Sequence, residues 1–365
     1  MNWLLAMPTI RQPNLDFLDP VRDHVDVCII DDTDGDVPAS GWPSNFRVYR
    51  YADRERLMGR AVENRFVPRK SPSSKNFALW LAHKDGHDGI ITLDDDVDLR
   101  VEPEYMDKIP VGREVAASVV DADDADGWVN ATSFLTGGSH LVSRGVPYEY
   151  RAENHVAGRR THARVVPAFN QGLWSGTPDI NGIDKIRFDL AGMGSAVSDP
   201  HRSFRGYVLV GPAQKLPCSI MNCQLSRELV PAFYQPPDYK LDSGWVIRRH
   251  DDVWSCRFAK ACADLKGHAF TFGEPIGLHT KEGDPRKEAV AEHVTNLIQP
   301  YFEGLLNGAT AYVGRSAGVP YAEVAFEVAT NMLEILKRDE HVPTQYHRVL
   351  ADYATRCRDW ANLFR

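Results

Sequence analysis

The first hundred residues alternate short apolar runs with longer amphipathic or polar stretches. Trp3 to Ala6, Val25 to Ile30, Phe46 to Tyr51 and Gly89 to Leu93 have the length and composition of strands. Between them, Asp53 to Phe66 and Ser73 to Lys84 predict helices, the second carrying Phe77, Leu79, Trp80 and Leu81. Strands alternating with helices predict an α/β sheet of doubly wound, nucleotide-binding character.

From about Ala116 to Pro217 the pattern weakens. Gly, Pro, Arg and Asp dominate, with interspersed aromatics and short apolar runs such as Tyr207 to Val210, which predicts a loop-rich elaboration on the substrate side. Trp254, Phe258, Ala261 and Leu265 predict an amphipathic helix just after Asp251 and Asp252, and Ala269 to Phe272 a further strand. Beyond Pro300 the spacing turns helical: Val324, Val328, Met332, Ile335 and Leu336 recur at threes and fours, and Tyr346 to Phe364 continues likewise. The expected division is residues 1–288 as the main domain and 289–365 as a C-terminal helical appendage, with Pro285 to Pro300 as the joint.

The chain has 365 residues, 43% of them hydrophobic, enough for a large core without staples. Acids outnumber bases 50 to 42, a net charge of −8, which argues against general nucleic-acid binding. It also implies that a phosphate in the site needs a cation. The six cysteines show no Cys-x-x-Cys spacing and are expected to be reduced thiols in a cytoplasmic protein. The apolar run in MNWLLAMPTIRQ is too short for a signal peptide, and no stretch approaches the roughly 20 residues of a transmembrane helix.

Candidate chemistry concentrates in three places. Gly89-Ile-Ile-Thr-Leu-Asp-Asp-Asp-Val97 sets three carboxylates directly after a strand, at the carboxyl edge where open α/β sheets bind ligands. Asp94 and Asp96 alternate along an extended segment and can share a side, and hard carboxylate oxygens suit Mg²⁺ or Mn²⁺ bridging a diphosphate. In Arg248-Arg-His-Asp-Asp-Val-Trp254 two aspartates stand at a helix N-terminus, where one can cap and the other act as a base or hydroxyl acceptor. Gly277-Leu-His-Thr-Lys281 brings His279, a candidate metal ligand, and Lys281, a candidate phosphate partner, into a Gly-flanked turn.

Seven blocks in order, Thr9-Ile-Arg11, Thr92-Leu-Asp-Asp-Asp96, Gly172-Leu-Trp-Ser-Gly-Thr-Pro-Asp179, Met221-Asn222, Arg227-Glu-Leu229, Arg249-His-Asp-Asp-Val-Trp254 and His279-Thr-Lys281, resemble the reversibly glycosylated polypeptides. That family includes the UDP-arabinopyranose mutases, and the resemblance covers roughly Met7 to Glu288. It implies a glycosyltransferase-A-like, Rossmann-type mixed sheet flanked by helices, acting on a nucleotide-diphosphate sugar with Mn²⁺ or Mg²⁺, and a chain that forms homo-oligomers. Asp94 and Asp96, with His279, would bind the metal. Thr9, Arg11, Asp32, Asp94, Asp95, Trp174, Asn222 and Lys281 would surround the nucleotide sugar, and Asp251 and Asp252 would face the sugar.

The resemblance also implies a reversibly glycosylated arginine shortly before the Gly-Leu-Trp block, where this chain is longer. Arg151 follows the matching upstream context and Arg164 has the matching downstream spacing, so both stand as candidates. Val97 replaces the cysteine usual after the triplet. The first expectation is a UDP-sugar mutase-like enzyme. The alternatives are a glycosyltransferase using a separate acceptor, which the altered arginine region keeps close, and an inactive nucleotide-sugar-binding scaffold subunit, which retention of both acidic clusters disfavours.

Overall fold

A computed structural model of the protein describes residues 1–11, 15–33, 35–38, 41–120, 127–136, 142–150, 160–177, 179–190, 204–279 and 283–365. The N-terminal pattern folds as its periodicity predicts. β1 (Trp3–Thr9), β2 (Val25–Asp31), β3 (Phe46–Tyr49) and β4 (Gly89–Leu93) form one parallel set in the order β3-β2-β1-β4. β4 is buried along its whole length, which explains its unbroken apolar run. The predicted helix over Asp53 to Phe66 is two helices, α1 (Tyr51–Met58) and α2 (Arg60–Phe66), broken at Gly59, whose φ of 82° leaves the helical region. α3 (Lys75–Asp85) packs Phe77, Leu79 and Leu81 into the core.

The middle of the chain departs from the loop-rich expectation. It supplies β6 (Val115–Val120), β7 (Arg160–Val165), β8 (Pro167–Gly176) and β9 (Tyr207–Val210), with the short α4 (Ser133–Thr136) and α5 (Gly182–Leu190) between them. β8 lies inside the sheet, antiparallel to β10 (Asn222–Ser226) and parallel to β13 (Ala269–His279). Its polar residues hid it from an apolar-run reading. Asn170 donates to Gln224 (2.7 Å) and accepts from Thr271 (2.9 Å), so a buried polar ladder takes the place of aliphatic packing.

Among the described residues the sheet has eleven strands, ordered β3-β2-β1-β4-β10-β8-β13-β9-β6-β7, with the short β5 (Val97–Asp98) on β13. A hairpin of β11 (Tyr239–Lys240) and β12 (Val246–Ile247) precedes α6 (Asp251–Lys266). The chain ends in α7 (Pro285–Val313), α8 (Tyr321–Leu336) and α9 (Thr344–Asn362). The Pro285 to Pro300 stretch expected as a joint lies inside α7. One hydrophobic cluster runs from Leu5 and Ile91 in the sheet to Tyr353 and Trp360 in α9, where Trp360 meets Phe66 and Tyr234 edge-on or tilted. No helix among the described residues is long and apolar enough to cross a membrane.

Candidate functional site

Parallel strands β1, β2 and β4 end together, and Thr9, the last residue of β1, with Asp32 and Asp94 to Asp96, which follow β2 and β4, line one cleft of about 400 Å³. This is the carboxyl edge of the parallel set, beside the point where β10 enters antiparallel to β4. The opposite wall is the start of α6, carrying Asp251 and Asp252, together with Arg144 and Arg249. Lys70, Ser74 and Lys75, from the entry to α3, complete it. Segments 85 and more residues apart in sequence therefore meet because the sheet order brings their ends together.

Protein cations already engage the triplet. Lys75 donates to Asp94 Oδ1 at 2.5 Å and to the Ile220 carbonyl at 3.1 Å, with its side chain only 4% exposed. Arg11 forms an ion pair with Asp95 and stands 3.8 Å from Asp96, and the Thr9 hydroxyl donates to Asp95 at 2.9 Å. Among the described residues, no three His, Cys, Asp or Glu side chains are already gathered as a metal cage. The donor set still suits a hard cation. The Thr177 carbonyl, 2.9 Å from His279 Nδ1, can only accept, so Nδ1 carries a proton, and Nε2, the ring nitrogen left to meet a cation, stands 4.0 Å from Asp96 Oδ1. Mg²⁺ commonly takes one or two carboxylates and completes its shell with waters and substrate phosphates.

The second acidic pair is held by packing and charge. α6 is anchored by Trp254, which is fully buried, stacks on Phe302 at 4.8 Å and donates from Nε1 to Gln299. Its first turn therefore projects into the cleft in a fixed position. Arg144 donates to Asp252 Oδ1 at 3.0 Å and pairs with the other oxygen, while its Nε donates to both oxygens of Asp179 at 2.9 and 3.0 Å. Arg249 extends this network to Glu292 (3.0 Å) and Glu288 (3.4 Å), from a backbone φ of 58°. The two carboxylates around Arg144 push its guanidinium pKa up, and Arg144 holds Asp179 well below the usual carboxylate range. Asp251 moves the other way. It touches the cleft but is surrounded mostly by protein, and desolvation, reinforced by the neighbouring Asp252, pushes its carboxyl up well above the usual range.

Of the residues singled out from sequence, the cleft brings together Thr9, Asp32, Asp94, Asp95, Asp96, Asp251 and Asp252, with Arg11 and His279 at its edge through their contacts with the triplet. Asp32 is also paired with the buried Arg54 at 2.8 Å. Trp174 and Asn222 are not in the lining. Trp174 is buried within β8, and Asn222 accepts from the Tyr105 hydroxyl (2.7 Å) and from Gln224 (3.1 Å) inside the sheet. Arg164 lies on β7 at the far edge of the sheet, its side chain 78% exposed and paired with Glu114. Arg151 and Lys281 fall outside the described residues.

Sequence reasoning missed Lys70, Lys75, Arg144 and Arg249 as cleft residues. The available signal was charge balance: six carboxylates in one cleft require compensating cations nearby.

No protein-family profile matches the chain. It is similar to the probable UDP-arabinopyranose mutase 4 of Arabidopsis thaliana, with 25% identity over 321 residues, covering 82% of this chain and 77% of that protein.

Proposed function

We propose that this protein binds a nucleoside diphosphate sugar, most readily a UDP-sugar, in the cleft, and that it is a mutase-like enzyme on a glycosyltransferase-A-like scaffold. One observation carries this reading. The Asp94 to Asp96 triplet and the Asp251–Asp252 pair, distant in sequence, line a single cavity that also has Lys70 and Lys75 in its walls, with Arg11 at its edge on Asp95. Its volume of about 400 Å³ suits a bound small molecule. The similarity to a protein whose name specifies a UDP-sugar mutase supports it.

In this reading Asp94, Asp96 and His279 would hold Mn²⁺ or Mg²⁺, which when bound neutralises diphosphate charge. Lys70, Lys75 and Arg11 assist by placing fixed positive charge near the departing diphosphate. Asp251, with its raised pKa, holds a proton at neutral pH and can donate it to a sugar oxygen. Asp252, oriented by Arg144, accepts a hydroxyl hydrogen bond. Two adjacent carboxyls in unlike surroundings thus divide acid from acceptor roles.

A transferase reading is favoured by one observation. Arg144, which the fold places beside Asp252, is engaged by two carboxylates and so is not itself free to capture the sugar.

The test is incubation of the pure protein with UDP- and GDP-sugars, with and without Mn²⁺, followed by chromatography and intact-protein mass. Isomer formation without free diphosphate supports the mutase. Diphosphate release only on adding an acceptor supports the transferase, and a protein mass increase supports self-glycosylation. No change with any donor would overturn the enzymatic reading.

A further inference from the structure

We propose that Cys218 and Cys223 form a thiol oxidation site, whose closure to an internal disulfide deforms the aspartate wall of the cleft and lowers its affinity for nucleotide. The two sulfurs are 3.6 Å apart and both side chains are fully or almost fully buried. The residues between them form the turn that enters β10, and this turn supports the site directly. The Ile220 carbonyl accepts from Lys75 Nζ at 3.1 Å and from the Thr92 hydroxyl at 2.8 Å. The Met221 carbonyl accepts from the Asp94 backbone N–H at 3.2 Å, and Ile220 itself lines the cleft.

A disulfide requires the sulfurs to approach to about 2 Å. Cys223 cannot yield easily, because its strand is paired on both sides, with Thr92 of β4 and Gln171 of β8. The adjustment falls on the 218–222 turn, and so on the hydrogen bonds that place Asp94 and Lys75. Misplacements of this size at a binding constellation are costly.

The chemistry needs a two-electron thiol oxidant, and diamide supplies it. One cysteine thiolate adds to the N=N bond. The other thiolate then attacks the bound sulfur, forming the S–S bond and expelling the nitrogen compound as a hydrazine. The two thiol protons end on its nitrogens. Burial pushes both thiols up, away from the thiolate, so oxidation proceeds when the turn opens and is slow compared with that of an exposed cysteine.

The effect on nucleotide rests on the proposed function, whereas bond formation does not. Trypsin should release Leu216–Arg227 as one peptide containing both cysteines. After diamide treatment of the native full chain, this peptide should become about 2 Da lighter and resist alkylation. UDP affinity, measured by calorimetry in the presence of Mn²⁺, should fall on the order of tenfold or more and recover with dithiothreitol. Cys218→Ala and Cys223→Ser should each bind UDP as the reduced wild type does and keep that affinity under diamide. The pair of variants guards against one failing to fold. A peptide that remains fully alkylated, or a disulfide that leaves UDP affinity unchanged, overturns the proposal. Failure of the reduced wild type to bind UDP overturns the function reading instead, with the peptide mass still deciding whether the bond forms.

Discussion

Asp251 and Asp252 are chemically identical neighbours whose surroundings set them apart. Arg144 pairs with Asp252, while Asp251 is desolvated beside that same pair. If Asp251 is the proton donor, kcat/KM should fall as pH rises through its raised pKa, since only the protonated form donates. Asp251→Asn should lower turnover by roughly 10²-fold or more and abolish that limb of the profile, which steady-state kinetics across pH would read. Stability should follow the same group. Its folded pKa lies above the unfolded value, so the native state binds the extra proton. Stability should therefore decline as pH rises from about 4, the ordinary carboxylate range, through the raised value. Urea unfolding at several pH values should show a flatter dependence for Asp251→Asn. Arg144→Met leaves Asp252 without its guanidinium partner and Asp179 with only the longer Arg249 contact of 3.8 Å, and should cost about 3–5 kcal/mol in the same measurement.

At the scale of elements, local periodicity identifies a helix or strand but does not settle where it breaks. α1 and α2 share one amphipathic stretch, and Gly59 divides them through a backbone conformation that side chains disfavour. A Cβ there meets open space, so Gly59→Ala should cost only the conformational strain, about 1–2 kcal/mol by chemical denaturation. Gly176 is a harder constraint. Its φ is 83°, and an added Cβ would lie 2.3 Å from the His279 carbonyl oxygen. Gly176→Ala should force β8 and β13 apart at the end that presents His279, lowering both stability and Mn²⁺ affinity, the latter measured by electron paramagnetic resonance. The strands legible in sequence were those carrying short apolar runs, β1 to β4 and the start of β13. β8 was not, because Asn170 is satisfied by Gln224 and Thr271 on other strands, which no local window contains.

At the scale of the whole molecule, the C-terminal helices share the core of the sheet. Trp360 of α9 donates to the Val230 carbonyl at 2.9 Å, and Tyr353 donates to the Trp254 carbonyl at 3.1 Å, on the helix that presents Asp251 and Asp252. Ending the chain after Val313 would expose these aromatic faces. The shortened protein should lose near-UV circular dichroism and bind hydrophobic dye, while the full chain should unfold in one cooperative transition. The helical pattern after Pro300 is visible in the sequence, but its role as support for the cleft is not, because that depends on which helices α9 packs against.

The sequence by itself determined the strand and helix alternation of the first hundred residues, the amphipathic faces of α6, α8 and α9, and the two acidic clusters. These follow from local periodicity and side-chain chemistry, which a window of residues contains. Only the tertiary structure decided that the clusters line one cleft, that Lys75 pairs with Asp94 and Arg144 with Asp252, and that Trp174 and Asn222 belong to the interior. The physical reason is sheet order: β10, β8 and β13 lie beside β4 in an arrangement set by long-range pairing, and that pairing carries α6 to the end of the parallel strands.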